Sequence, residues 1–231
     1  MHLLMFDLDG TLMKSNTLDV HCFTEAVKYV TGIEKIEGDW SHYKYVTDAG
    51  IITEIMAKAF GRLATKREIM DVRTKIRQIL QSEIITNRWK LSPIPGAVEL
   101  LDRLTDIGDC GLAIATGSWK ELATLKLSAA GFNAVKLPFA SSDDSHRREE
   151  IMRAAFKRAR VFYGVQEFDT VTYIGDGMWD LEASKKLGYH FIGIGFNNNR
   201  AGMIEKGALH VFSDFSDQGV FFTEMDKIWA S

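Results

Sequence analysis

Short apolar runs, each closed by polar or turn residues, recur along the chain at 3–8, 111–115, 137–140, 171–174 and 191–196. They are continuous rather than alternating, which predicts strands buried on both faces of a parallel sheet. Val211 and Phe212 add a short edge strand. Between the runs the apolar period changes to that of helices. Pro95 and Gly96 open a stretch at 97–107 with Val98, Leu101, Leu104 and Ile107 on one face, and Gly108 ends it. Further helices are predicted at 119–130, 149–160 and 181–187, with Gly131 and Gly188 as stops for the first and last. Strands alternating with helices imply an α/β fold, a doubly wound parallel sheet with helices on both faces.

Residues 15–91 break the alternation and read as helical throughout. One helix is expected at 18–29 before Gly32, a second at 48–60 capped by Thr47 or Asp48 and ended by Gly61. A third, at 65–83, opens with the capping-box pair Thr65 and Glu68. The expected organisation is therefore a core domain of 1–14 and 92–231, with an all-helical domain of 15–91 inserted after the first strand. No internal repeat and no low-complexity tract is evident.

Composition alters this picture little. The chain has 231 residues, 46% hydrophobic and 26% charged, with a formal net charge of -3, ordinary for a globular protein. That charge gives no electrostatic reason to expect a nucleic-acid or acidic-membrane partner. No apolar stretch reaches the ~20 residues that span a bilayer, and the start of the chain carries no basic leader. A cytoplasmic location is the expectation. Cys22 and Cys110 lack the spacing of a zinc or redox pair and are expected to be reduced packing residues.

Candidate chemistry gathers at strand ends. The first run closes Phe6-Asp7-Leu8-Asp9-Gly10-Thr11. Residues two apart on a strand face the same side, so Asp7 and Asp9 can share a site. Paired carboxylates repel unless a cation or proton separates them, and oxygen-only ligation suits magnesium. A second acidic cluster, Gly175-Asp176-Gly177-Met178-Trp179-Asp180, follows the run at 171–174. A third element, Thr116-Gly117-Ser118, lies between a strand and a helix, where hydroxyls and helix N-terminal amides can cradle phosphate oxygens.

These motifs, in this order, resemble those of the haloacid dehalogenase superfamily, and within it the phosphoglycolate-phosphatase-like branch with a helical cap. The likeness covers nearly the whole chain, because the helical insert falls where that family carries its cap. The resemblance implies Mg2+ as cofactor and a phosphomonoesterase that forms an aspartyl-phosphate on Asp7. Asp9 would act as acid and base and would lend its backbone carbonyl to the metal beside Asp7 and Asp176, with Asp180 behind them. Thr116, Gly117 and Ser118 would bind phosphate. The family usually supplies a lysine before the third strand–helix unit. Here the region reads Ser142-Asp143-Asp144-Ser145-His146-Arg147-Arg148-Glu149, so Arg148 is the expected substitute and Arg147 the second choice. Lys120 is a lesser contributor. His21, Thr47, Asp48 and Trp179 are weaker candidates for contact with the site.

Asp9 argues against a dehalogenase, which needs no acid for an alkoxide leaving group. Phosphosugar mutase-type transfer shares the core chemistry and stays open, as does a catalytically silent binding module on the same fold. The implied substrate is a small soluble phosphomonoester whose identity is unassigned, as is the oligomeric state.

Overall fold

The computed structural model describes residues 1–132 and 136–230; of the expected core segment, 133–135 and 231 lie outside the described residues. The apolar runs become strands β1 (His2–Phe6), β2 (Cys110–Ala115), β3 (Phe139–Ala140), β4 (Val171–Gly175), β5 (His190–Ile194) and β6 (His210–Phe212). They pair in the order β3-β2-β1-β4-β5-β6, and every pair is parallel. The helices are α1 (Asn16–Thr31), α2 (Asp48–Phe60), α3 (Lys66–Thr86), α4 (Ala97–Thr105), α5 (Lys120–Ala129), α6 (Arg148–Tyr163), α7 (Met178–Leu187), α8 (Asn197–Glu205) and α9 (Gln218–Trp229). The fold is the doubly wound α/β sheet that the pattern predicts. The sequence reading did not anticipate α8 and α9, and β3 keeps only the last two residues of the expected run.

Strand pleating explains why the runs are continuous. Leu4 and Phe6 of β1, with Leu112 and Ile114 of β2, face a layer built from Leu100 and Leu104 of α4, Ala123 and Leu127 of α5, and Phe221 and Met225 of α9. Their neighbours Leu3, Met5, Ala113 and Ala115 face the opposite layer, where α6 supplies Ile151, Ala155 and Ala159, and α7 supplies Leu181. The central strands β1 and β2 are thus buried on both sides, and no polar alternation survives in them.

Register then fixes where the strands end. Phe6 lies opposite Ile114 on one side and Ile174 on the other. The next residues of β1, β2 and β4 therefore emerge together at the carboxyl edge, beside the point where strand order reverses, which is where sheets of this kind bind ligands.

A third apolar cluster lies between 16 and 86. Leu18, Phe23 and Val27 of α1, Ile52 and Met56 of α2, and Val72, Ile76 and Leu80 of α3 pack together, joined by Trp119 and Leu122 from the sheet-bearing part of the chain. Local signals frame these helices. Thr65 and Glu68 form the expected capping box, Thr47 caps α2 by accepting from the Gly50 amide, and Gly32 and Gly61 close α1 and α2 in the left-handed conformation.

Cys22 and Cys110 are free and buried, and burial pushes each thiol up to about 12, so both stay protonated and inert at neutral pH. Among the described residues no helix is long and apolar enough to cross a membrane.

Phe6 is fully buried at the centre of the sheet. Phe6→Ala is expected to lower the unfolding free energy by about 3–5 kcal/mol, read by urea denaturation. A loss below ~1 kcal/mol would contradict the central role given to β1.

Candidate active site

The strand ends open into a cleft of ≈ 510 Å³ lined by Asp7, Asp9, Thr116, Gly117, Ser118, Arg148 and Asp176, with Asp19, Trp40, Asp48 and Ile51 facing them from the helical segment. The Asp7 amide donates to the Ile174 carbonyl at 2.9 Å. That bond carries the β1–β4 ladder one residue past the strand and fixes the Asp7 backbone. Gly10 turns the chain away with φ +78, and a Cβ there would meet Asp176 Oδ2 at 1.9 Å. Only glycine both adopts this turn and lets the two acidic loops approach.

Asp7, Asp176 and Asp180 each offer an oxygen, and these oxygens lie within 4.8 Å of one another. Asn16 Nδ2 holds Asp176 Oδ2 at 3.0 Å, and the Asn199 side chain donates to the Asp176 carbonyl at 2.9 Å. Asp180 is fully buried and accepts from the Gly177 amide at 3.1 Å, at the start of α7. Its other oxygen, Oδ1, is buried without a hydrogen bond, although Arg148 Nε lies 3.2 Å away. Burial raises all three carboxyls, helped by a neighbouring charge in each case: Asp7 beside Asp9, Asp176 well above its usual value beside Asp7 and Asp180, and Asp180 to about 7 beside Asp7. Three half-buried or buried oxygen donors, one under-satisfied, fit a hard divalent cation such as Mg2+. The Asp9 carboxylate lies outside this group; the expectation placed only its backbone carbonyl there.

Arg148, at the first turn of α6, is buried and reaches into the same space. Its Nη1 lies 3.5 Å from Asp7 Oδ1, and its Nη2 donates to the Val46 carbonyl at 3.2 Å. One guanidinium thus faces Asp7, Asp180 and the segment before α2. The position expected to carry a lysine holds an arginine aimed at Asp7. Thr116 is buried just past β2, where it works against the upward shift of the Asp7 carboxyl, and its hydroxyl accepts from the Ser118 amide at 3.2 Å. Gly117 passes close beneath the helical segment, since a Cβ there would come within 2.7 Å of the Val46 carbonyl and 2.9 Å of Arg148 Nη2.

The other side of the cleft is organised by a residue the sequence reading missed. Lys126, on α5, is 1% exposed. Its Nζ donates to both Asp9 oxygens at 2.6 Å, to Asp19 Oδ1 at 2.9 Å and to Ser118 Oγ at 3.0 Å. Ser15 Oγ donates to Asp9 Oδ1 at 2.5 Å, and Ser118 Oγ to Asp9 Oδ2 at 2.9 Å. Burial alone would push the Asp9 carboxyl up, but Lys126 and the two hydroxyls outweigh it and hold it below its usual value. Asp19 stays raised by burial despite the lysine. Asp48 is raised well above its usual value by burial and by the Asp19 charge, and accepts from the Trp119 amide at 2.7 Å.

Some expected residues are placed otherwise. Arg147 is a correction: it precedes α6 as its N-cap, its side chain is 50% exposed, and it pairs with Glu149 at 2.6 Å. The turn that sends Arg148 inward sends its neighbour to solvent. The Ser118 hydroxyl, expected to meet phosphate, is committed to Asp9 and Lys126. Lys120 lies over the Phe139 ring at 5.6 Å. His21 pairs with Glu83 at 3.5 Å and stacks on Trp89, outside the cleft. Thr47 and Asp48 do both jobs, framing α2 and lining the cleft, and Trp179 lines it as well.

Comparisons with known proteins bear on the family and the fold. The family described as haloacid dehalogenase-like hydrolase matches residues 4–194. No curated protein matches the sequence significantly. Among solved structures, a hydrolase from Pseudomonas syringae is 25% identical, covers 97% of this chain and 98% of its own, and superposes with a TM-score of 0.74. A predicted phosphoglycolate phosphatase from Haemophilus somnus 129PT is 18% identical over 95% of this chain and 97% of its own, with a TM-score of 0.66. CbbY from Rhodobacter sphaeroides, solved in complex with phosphate, is 17% identical over 94% and 96%, with a TM-score of 0.69. At the last two identities the likeness is one of fold.

The raised carboxyls give a metal prediction with a definite sign. A folded-state value above the unfolded one contributes stability at low pH that is lost as pH rises through the folded value. With Asp180 near 7, the metal-free protein is expected to lose melting temperature between about pH 5 and about pH 8. Mg2+ should raise the melting temperature more at the upper pH, where its ligands are ionised. A melting temperature insensitive to Mg2+ at both pH values would contradict the metal assignment.

Proposed function

The chain belongs to the haloacid dehalogenase-like hydrolases, and from that premise we propose that it is a magnesium-dependent phosphomonoesterase acting on small soluble phosphate esters in the cytoplasm. The observation that carries this reading is the Asp7 carboxylate. It is buried at a strand end, within the oxygen cluster completed by Asp176 and Asp180 and facing Arg148. A carboxylate so held is aimed rather than merely paired.

Asp7 attacks phosphorus, and the bond from phosphorus to the leaving oxygen breaks as Asp9 protonates that oxygen. Water then attacks phosphorus, Asp9 takes its proton, and inorganic phosphate leaves Asp7 free. Thr116 and the loop at Gly117 hold phosphate oxygens, while Arg148 offsets their charge through a planar, permanently ionised donor. Asp7 and Asp176, with the Asp9 carbonyl and Asp180, would hold the metal. When bound, Mg2+ supplies charge neutralisation for the transferring phosphoryl group.

Residues 15–91 serve as a cap over the core of 1–14 and 92–231. Trp40, Asp48 and Ile51 reach the cleft from that segment, so it excludes water and selects the leaving group. Mutase-type transfer would use the same core residues, and no contact in the cleft favours it over hydrolysis.

The test is phosphate release from p-nitrophenyl phosphate and a panel of small phosphomonoesters, with Mg2+ and with chelator. Turnover should need Mg2+ and vanish in Asp7→Asn, which keeps the shape and removes the nucleophile. Activity surviving in Asp7→Asn, or confined to large phosphoproteins, would sink the reading. Arg148→Ala is expected to lower kcat/KM by about 10²–10³, the cost of losing one preorganised charge-stabilising donor. An unchanged kcat/KM would remove Arg148 from the mechanism.

A further inference from the structure

Behind the cleft residues Asp9, Asp19 and Ser118 lies a second buried cation with no part in the catalytic steps above. Lys126 rises from α5, where its helix neighbours Leu122, Ala123 and Leu127 are buried apolar residues. An ammonium has three N–H donors, and here four acceptor atoms lie within 3.0 Å of it, two of them the oxygens of Asp9. Its whole donor capacity is spent on this cluster. Stability alone does not call for such an arrangement, because buried ion pairs can often be replaced by apolar side chains without loss.

What the arrangement does fix is the direction of one carboxylate. Each Asp9 oxygen accepts from a hydroxyl and from the same Nζ, Oδ1 from Ser15 and Oδ2 from Ser118. Donors on both oxygens set the plane of the carboxylate. Asp19, on α1, holds the far side of the ammonium, so Lys126 is braced between the helical segment and the strand end.

We propose that Lys126 is a positioning residue, braced by Asp19, that holds the Asp9 carboxylate in the orientation from which it delivers a proton to the leaving oxygen. The proposal rests on the reading of Asp9 as the acid and base. Lys126 itself touches neither phosphorus nor the leaving group.

Leaving-group dependence separates positioning from a merely structural role. p-Nitrophenolate is a stable anion and departs without a proton, whereas an alkoxide needs one. kcat/KM reports the step that forms the aspartyl-phosphate, so the ratio of kcat/KM for an alkyl phosphate such as glycerol 2-phosphate to that for p-nitrophenyl phosphate reads the acid alone. In Asp9→Asn the ratio should fall by about 10² or more, the usual worth of a positioned acid. In Lys126→Met, with each protein compared at its own pH optimum so that the easier protonation of Asp9 without the lysine is not counted, it should fall by at least about 10-fold, a part of that contribution. Should Lys126→Met not fold by circular dichroism, Lys126→Met/Asp19→Asn removes one charge of each sign and should show the same fall.

If the Asp9→Asn ratio falls while the Lys126 variant loses equally on both esters, or on neither, the positioning role is overturned and the Asp9 reading stands. If Asp9→Asn leaves the ratio unchanged, the acid assignment fails and the proposal fails with it.

Discussion

Carboxylates repel one another most where water is scarce, and this fold gathers buried and half-buried ones at and just behind one cleft, Asp7, Asp9, Asp19, Asp48, Asp176 and Asp180. The rest of the site follows from how that repulsion is offset. Two buried cations divide the work. Arg148 lies against Asp7 and Asp180, and Lys126 lies against Asp9 and Asp19. Asp9 ends up below its usual value, whereas Asp7, Asp176 and Asp180 remain above theirs. The nucleophile side is therefore left short of positive charge where a divalent cation would complete it, and the acid/base side is not.

The same two cations touch the helical segment. Arg148 donates to the Val46 carbonyl and Lys126 to Asp19 of α1. Around them the Asp48 amide donates to the Gly117 carbonyl at 2.9 Å, and the Ala49 amide to Ser142 Oγ at 3.1 Å. Further out, Arg73 of α3 meets Asp143 at 2.5 Å. Apart from the apolar packing of Trp119 and Leu122, the segment is thus held over the strand ends by polar contacts. The bond from the Asp48 amide to the Gly117 carbonyl ties its placement to the loop proposed to hold phosphate. Polar interfaces of this kind are the ones that open and close most readily.

The acidic strand ends were legible in the sequence because two independent signals coincide there, an apolar run that stops and carboxylates that follow it. Arg148 was legible by position within the resemblance, but separating it from Arg147 required the turn into α6. Lys126 was missed because lysine on a helix reads as solvated surface. The signal was nonetheless present: Lys126 follows Leu122 by four positions and Ala123 by three, inside the buried stripe of α5. The Ser118 hydroxyl was assigned to phosphate because nothing in the sequence reveals the lysine it would meet. Helix α8 opens on three asparagines and buries only Met203, so it carries no apolar stripe to read. Helix α9 does carry one, Phe221, Met225 and Ile228, with Asp217 as its cap, and went unread because the acidic and serine-rich residues before it suggest a loop.

The central claim is that Asp7 carries the phosphoryl group, and the most direct measurement is to trap it there. Turnover of p-nitrophenyl phosphate with Mg2+ would be quenched with borohydride, which reduces an acyl phosphate but not a free carboxylate, and the peptide containing Asp7 examined by mass spectrometry. The account predicts homoserine at Asp7, present only when substrate and metal are both supplied. Sustained turnover with Asp7 unmodified, or reduction at another carboxylate, would contradict it.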